Sequence, residues 1–222
     1  MHRCLRPARF ALLALLPAAG AGPVAAIDLL SHRAVYRLSL LSAERGGGLT
    51  GVEGGLVLEL QRGCEGWISN QRLGFAATTA EGPAFTYDVR FSSVESIDTT
   101  HLRFAVRSFE DGQVTEEFRG RATLDGRGGP GVAEFAVPED EDAVVLPAGT
   151  LFPTEHVRQL VEAATRGEPL AVHDVFDGSG AEGLSRITAV IGPPVERPAA
   201  AGGVERRWRV SLAYHGRGAA DA

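Results

Sequence analysis

The sequence of 222 residues predicts a mainly β protein in which antiparallel strands follow one another as a meander and one helix interrupts them. Apolar and polar residues alternate with a period of two in many short runs, as they do in strands that bury one face. Turn-forming pairs such as Asp111-Gly112 and Asp125-Gly126 separate these runs. A single segment places its apolar residues at helical spacing instead.

The alternating runs begin after Ser31 and recur as far as Tyr214. They are Ala34–Leu40, Leu56–Leu60, Trp67–Leu73, Phe85–Phe91, Leu102–Phe109, Val114–Leu124, Val132–Val137, Leu184–Ile191 and Arg206–Tyr214. The segments Glu139–Asp142 and Gly192–Gly203 are acidic or rich in Pro, Ala and Gly, so we expect exposed loops there. No further run follows Tyr214, so we expect Trp208–Tyr214 to end the sheet as a strand without a following partner.

The helix is predicted over Thr154–Arg166. Pro153 stands where the first helical turn tolerates proline, and Gly167 stands where a helix commonly ends. The apolar residues at helical spacing are Val157, Leu160, Val161 and Ala164.

The amino-terminal segment has the pattern of a cleavable export signal. Three arginines, Arg3, Arg6 and Arg9, precede the apolar run Phe10–Leu16, and small residues follow up to Ala26. Prolines and glycines interrupt the apolar run too early for an uncleaved membrane anchor. We therefore expect a signal peptide over residues 1–26, a single β domain over residues 27–222, and export to the periplasm.

The charge balance argues against a nucleic acid partner. The formal net charge is −6, and the loss of three arginines and no acid with the signal would make it −9. A phosphate-binding loop is also missing, because Gly46-Gly47-Gly48 and Gly126–Gly131 lack the Gly-Lys-Ser/Thr ending and the chain has no lysine. An acidic surface likewise gains nothing from anionic lipid head groups.

Side chains that could carry chemistry do not form a familiar catalytic or metal-binding pattern. Four residues could surround a metal ion, but they lack any known ligand spacing: His156, His173, Asp174 and Asp177. Two acidic pairs, Glu95 with Asp98 and Glu116 with Glu117, are interpreted as strand-edge charges that face water. The sequence thus predicts no catalytic residues, no metal and no cofactor, with His156 and Asp177 the best candidates if the protein were an enzyme.

Cys64 would be the only thiol of the exported chain, because Cys4 leaves with the signal. It lies in a turn between two predicted strands. An odd cysteine in an oxidising compartment suggests a bridge to another chain, a reactive thiol or a missing partner, and a buried inert thiol is the plainer alternative.

Several segments together resemble the EipB family of alphaproteobacterial periplasmic proteins. The most specific is Leu146–His156, in which turn, apolar and helix-start residues agree over the whole stretch. The others are His32–Tyr36, Cys64–Trp67, Glu95-Ser96 and Phe176–Gly178.

The resemblance implies a spiral or partly closed antiparallel β-sheet, similar to a half-barrel, with one short helix packed against it. Members of the family look longer and carry a second cysteine near the carboxyl end, which bridges to the position of Cys64. Here the sequence stops before that cysteine, so we expect a domain truncated at its carboxyl end and Cys64 without its partner.

The resemblance also implies a non-catalytic role in cell-envelope integrity, exerted through a periplasmic protein partner such as a tetratricopeptide-repeat protein. An alternative is a carrier that holds the acyl chain of a lipid or lipoprotein against the concave face of the curved sheet. The candidate lining residues for a carrier are Leu56, Leu58, Phe75, Phe85, Phe91 and Phe104, which would otherwise fill a β core.

Overall fold

The computed structural model describes residues 29–43, 48–199 and 202–216. Eight consecutive strands form one antiparallel sheet in the order of the chain, from β1 at one edge to β8 at the other, so the sheet is not closed. The predicted meander is confirmed. The strands are β1 (His32–Ser39), β2 (Leu49–Arg62), β3 (Gly66–Thr79), β4 (Phe85–Ser96), β5 (His101–Glu110), β6 (Gln113–Leu124), β7 (Gly131–Val137) and β8 (Val144–Leu146).

The turn between β5 and β6 shows how the sequence sets the pairing of strands. Glu110 pairs with Gln113, so only Asp111 and Gly112 connect the strands. Both have positive φ, 48° and 79°, which is the conformation of a type I′ turn. Asp and Gly adopt that conformation at low cost, and the turn therefore matches the twist of the two strands.

After β8 the chain forms the helix α1 (Pro153–Arg166), as predicted, and Gly167 ends it with a left-handed φ of 76°. The rest consists of β9 (Leu170–Phe176), a short 3₁₀ helix (Ala181–Gly183), β10 (Leu184–Ile191), β11 (Val195–Pro198), β12 (Val204–Arg207) and β13 (Val210–Gly216). β9, β10 and β13 form a second antiparallel sheet with β10 in the centre, and β11 pairs with β12.

Three predictions about this second half are wrong. Gly192–Gly203 is not only a loop, because β11 lies within it and pairs with β12. The expected strand Arg206–Tyr214 is two strands separated at Trp208. The last one, β13, pairs with β10 on one side and forms an edge of the second sheet, as expected for a strand without a following partner. β9 was missed because its sequence, Leu-Ala-Val-His-Asp-Val-Phe, mixes polar and apolar residues without strict alternation.

The large sheet has two faces of different composition. Residues directly opposite each other in paired strands point to the same side, and so do residues two positions apart. One face, here called the helix face, is the one that packs against α1 and the second sheet, and it includes Leu102, Phe104 and Ala122. The other, here called the arginine face, carries side chains such as Arg72, Arg90, Arg103, Arg107, Arg119 and Arg121.

The main core lies between the helix face and the segments that follow β7. Phe104 contributes from the sheet, while Phe152 and Phe176 contribute from the second half of the chain and are completely buried. The ring of Phe104 makes edge contacts with Phe176 and Phe135 at 5.6 Å between centroids. A second, smaller cluster joins the end of α1 to the second sheet through Ala163, Ala164 and Ile191.

The backbone of Gly178, in the second half of the chain, packs directly against Phe104 of this core. Its φ is +83°, and a Cβ atom there would lie 2.6 Å from Cγ of Phe104. Gly112 offers a matched comparison, since its φ is +79° and a Cβ atom there would meet nothing within 4 Å.

We therefore expect Gly178→Ala to lower the free energy of unfolding by about 1 to 3 kcal/mol more than Gly112→Ala does. Both variants carry the backbone strain of a positive φ, so the difference isolates the clash with Phe104. Urea unfolding of the wild type and the two variants measures it. Equal losses in the two variants would contradict the close packing of Gly178 against the core.

Candidate functional site

A buried carboxylate of the sheet holds the start of the helix. Helix α1 has Phe152 at its N-cap, which has no side-chain acceptor for the first backbone N–H groups. Glu95 of β4 supplies the acceptor instead. Its Oε2 accepts a hydrogen bond from the backbone N–H of Thr154 at 2.7 Å, and its Oε1 accepts one from Glu155 at 2.9 Å.

The prediction that Glu95 faces water is wrong, because its side chain is only 2% exposed. It is directly opposite Trp67 and Leu102 on the helix face, where alternation places buried residues. Burial raises the pKa of Glu95 to about 7, while the two backbone hydrogen bonds oppose that rise. The sequence indicates that an acceptor is needed, because phenylalanine stands where a capping side chain is usual, but it does not identify Glu95 as that acceptor.

Asp98 behaves as predicted and lies exposed in the next turn. Hydrogen bonds from Ser96 and Thr100 lower its pKa to about 2. Glu116 is exposed as expected, whereas Glu117 is partly buried and pairs with two arginines on the arginine face. Of the four acidic residues, one accepts hydrogen bonds from the helix start, one accepts hydrogen bonds within a turn, one forms ion pairs, and Glu116 is exposed.

Glu155 continues the polar contacts at the helix start. It is buried, and it accepts hydrogen bonds from Arg158 and from Gln159, the latter at 3.0 Å. Arg127, from the turn before β7, approaches it at 3.8 Å. Burial works to raise the pKa of Glu155, but the hydrogen bonds from Arg158 and Gln159 outweigh it and the pKa lies below its usual range.

The two histidines of the helix region are neighbours. The rings of His156 and His173 meet edge to face with centroids 5.3 Å apart. Burial lowers the pKa of His156 to about 4, with a contribution from His173, and burial also lowers the pKa of His173. Both rings are therefore neutral at neutral pH, as parts of a packed interior usually are.

The other two residues that could have joined a metal site are engaged elsewhere. Asp174 forms an ion pair with Arg186 at 2.9 Å, and Asp177 accepts hydrogen bonds from Ser179. Within residues 29–43, 48–199 and 202–216, no three His, Cys, Asp or Glu side chains come together as metal ligands would. His156 and Asp177 also lie apart in role, one in the interior and one in a surface turn.

The six apolar candidates for a lipid site all lie on the helix face. Leu58 is in line with Phe91 across the strands, because both are directly opposite Gln71 of β3. The other four lie on the same side by the same pairing, at an even number of positions from these residues or from their partners. Phe104 is a core residue with 3% exposure. The remaining five, Leu56, Leu58, Phe75, Phe85 and Phe91, are half-buried and belong to none of the core clusters of the described chain.

The helix face is thus divided into a covered half and an open half. The open half, defined by those five residues, includes an aromatic group in which Phe75 lies 5.5 Å from Tyr87 and 6.5 Å from Phe85. Apolar side chains that remain partly exposed together commonly mark a binding surface. The sequence identified these residues as apolar, but only the strand pairing shows that they share one face.

Cys64 lies exposed in the turn between β2 and β3. It forms no disulfide with any described residue. The alternative of a buried inert thiol is therefore wrong, because the side chain faces solvent.

The stretch Leu146–His156 joins the three parts of the molecule. Leu146 ends β8, Leu151 bridges to Val175 of β9 in parallel, and Phe152 leads into the helix held by Glu95. The backbone N–H of Leu151 donates to the backbone carbonyl of Asp174 at 2.8 Å, and the backbone N–H of Phe176 donates to the backbone carbonyl of Leu151 at 3.0 Å. A sequence as specific as this one is needed because both sheets and the helix meet here.

A family model described as EipB-like matches residues 23–222. The chain belongs to the EipB-like family. The cell envelope integrity protein EipB of Brucella abortus is 29% identical over 205 residues, which cover 89% of this chain and 72% of that protein. The crystal structure of a β-barrel-like protein of a domain of unknown function, DUF1849, from Brucella abortus matches with a TM-score of 0.75 and 29% identity, covering 85% of this chain and 81% of that one.

Membership of the EipB-like family agrees with the architecture. The resemblance implied a spiral or partly closed antiparallel sheet with one short helix against it. The eight-stranded antiparallel sheet, which is not closed, and the match to a β-barrel-like structure confirm this fold class. In the described part of this EipB-like chain, no helix has the length and hydropathy needed to cross a bilayer. The predicted signal peptide over residues 1–26 lies outside the described residues.

The variant Glu95→Gln tests the electrostatics of the helix start. Because the pKa of Glu95 is raised from 4.5 to about 7, the folded protein keeps a proton that the unfolded chain has already lost in this range. This contribution to stability is complete below pH 4.5 and is lost as the pH rises through 7. We expect the wild type to lose about 2 to 3 kcal/mol of unfolding free energy between pH 5 and pH 8 that Glu95→Gln does not lose.

Urea unfolding at the two pH values gives the comparison, and any constant cost of a weaker helix cap cancels in the difference. Glu182→Gln, in the exposed 3₁₀ helix, is the control and should follow the wild type. The same pH dependence in the wild type and in Glu95→Gln would show that this carboxyl does not titrate as its burial requires.

Proposed function

We propose that the protein supports the integrity of the cell envelope from the periplasm, without catalysis, by binding a protein partner. The observation that carries this proposal is the membership of the EipB-like family together with the similarity to a cell envelope integrity protein over 89% of the chain. The amino-terminal pattern supports export, because it has the charged, apolar and small-residue order of a signal peptide.

The chemistry of the described residues is in keeping with a binding role. Glu95 and His156, the two buried groups whose pKa values shift most, have neighbours that account for them: Glu95 accepts hydrogen bonds from the start of α1, and His156 packs against His173. A tetratricopeptide-repeat protein is one kind of partner that the family resemblance suggests. Nucleic acid is not proposed, since the formal charge is negative.

A complementation experiment tests the envelope role and the compartment together. Deleting the gene should raise the sensitivity of the cells to detergent and to cell-wall antibiotics, and the complete gene should restore resistance. A copy that begins at Ile27 should fail to restore it, whereas the same copy behind an unrelated signal peptide should succeed. The proposal is wrong if the deletion changes no sensitivity, or if the copy without a signal complements as well as the complete gene.

A second candidate function is the carriage of an acyl chain on the open half of the helix face. The specific observation is the group of five half-buried apolar residues that no core cluster includes. Long hydrocarbon chains bind to such surfaces by the burial of apolar area. The two proposals make opposite predictions for the purified protein. A protein that acts by binding a protein partner should carry no lipid, whereas a carrier should retain it.

Native mass spectrometry of the protein purified from the envelope should then detect a bound acyl lipid that is lost in Phe75→Ser. Removing an aromatic contact of roughly 1.5 kcal/mol or more should weaken retention by about tenfold. Val145→Ser is the control, since Val145 is an exposed residue of β8 away from this group. A wild-type protein that emerges without lipid, or equal lipid in the two variants, would exclude the carrier.

A further inference from the structure

Two rows of arginine cross the arginine face of the large sheet. In the first row, Arg72, Arg90 and Arg107 stand directly opposite one another on β3, β4 and β5. In the second, Arg103 and Arg121 are directly opposite on β5 and β6. Like charges at directly opposite positions of neighbouring strands destabilise a sheet. This opposition of like charges recurs across four strands, β3 to β6, and ion pairs with acidic side chains offset part of its cost.

On β3, β4 and β5 the residues between the two rows are small. Asn70, Ser92 and Ala105 are directly opposite one another on β3, β4 and β5, and Arg119 continues their line on β6. They form the floor of a trough. The first arginine row forms one side of it, and the second row forms the other side on β5 and β6, with apolar side chains in line with it on β3 and β4. A cavity of about 870 Å³ and an adjoining one of about 510 Å³ share these four residues, so the trough is continuous across the strands.

Positive charge is in excess around the first row, where Arg119 of the floor adds a fourth guanidinium group. The carboxylate of Asp88 accepts a hydrogen bond from Nε of Arg72 at 3.0 Å and forms an ion pair with Nε of Arg90 at 3.3 Å. The carboxylate of Glu117 forms ion pairs with Arg107 and with Arg119, each at 3.1 Å. Four guanidinium groups thus share two carboxylates, and their side chains remain between 52 and 62% exposed. They can bind further anions from solvent.

Two of these guanidinium groups are held in position by an aromatic ring. Arg90 lies over Phe109 at 4.7 Å from the ring centroid, and Arg107 lies over the same ring at 5.4 Å. A guanidinium group that is already oriented binds a carboxylate with less loss of side-chain entropy, and it can do so through two parallel hydrogen bonds.

We propose that this trough, which we call the arginine trough, binds an extended acidic segment of a protein partner. The small floor leaves space for a main chain, and Asn70 and Ser92 can form hydrogen bonds with peptide groups. Asp88 and Glu117 lie among the arginines, where they can accept main-chain N–H groups and would repel a densely charged phosphate. The inference rests on the proposed function in one respect, that the protein acts through a protein partner.

A labelled peptide of alternating glutamate and alanine is the probe, and fluorescence anisotropy with the purified protein is the measurement. We expect saturable binding that weakens as salt is added, and no binding of the matching lysine and alanine peptide. The double variant Arg90→Gln/Arg107→Gln should bind the acidic peptide at least roughly tenfold more weakly.

The matched control is Arg166→Gln/Arg207→Gln, which removes the same charge from two exposed arginines that also pair with acids, Glu168 and Glu205. It should bind within about twofold of the wild type, because surface charges distant from the trough act only through screened long-range attraction. The trough variant removes ion pairs as well as the opposition of like charges, so the melting temperatures of both double variants are measured, and binding is compared at a temperature where each variant is folded. A loss of binding is then not a loss of folding.

The proposal is overturned by an absence of saturable binding, by equal losses in the two double variants, or by anionic phosphatidylglycerol vesicles that bind the wild type and displace the peptide. The last result would assign the trough to lipid head groups. Because the measurement uses purified protein, its failure leaves the envelope phenotype to be decided by the complementation experiment.

Discussion

The contact on which the arrangement depends is the acceptance of two helix N–H groups by one buried carboxylate. Without Glu95 the first backbone N–H groups of α1 would lose their acceptor where the chain is largely buried, and an unpaired buried donor costs more than the hydrogen bond itself contributes. With it, the position of the helix relative to β4 is fixed to within the tolerance of a hydrogen bond. The packing of Phe152 beneath the sheet and the entry of the chain into β9 then follow from that position.

The local parts of the fold could be predicted from the sequence. Period-two alternation identified most strands of the large sheet, and Pro153 and Gly167 located the ends of the helix. These features are encoded by neighbouring residues, so they need no knowledge of the rest of the chain. The strands β8 and β9 were missed because one is only three residues long and the other mixes polar and apolar residues without strict alternation.

The parts of the site that depend on residues distant in the sequence could not be predicted. Glu95 precedes Thr154 by 59 positions, and nothing near it distinguishes a helix-capping carboxylate from a surface one. The arginines of β3, β4 and β5 belong to three separate runs, each of which is an ordinary exposed position in an alternating strand. Only the pairing of strands places them side by side.

One face of the sheet carries apolar side chains for the core and the other carries arginines. The two-residue turn at Asp111-Gly112 sets the register of β5 and β6 and so decides which side chains lie on which face. Inserting or deleting one residue there would shift the register between β5 and β6 by one, which turns arginines toward the core and phenylalanines toward water. A change of two residues would preserve the faces, and a bulge such as the one near Ser108 can absorb an odd residue locally. A change of this hairpin's length by an odd number of residues is therefore compatible with the two faces only where a bulge accompanies it.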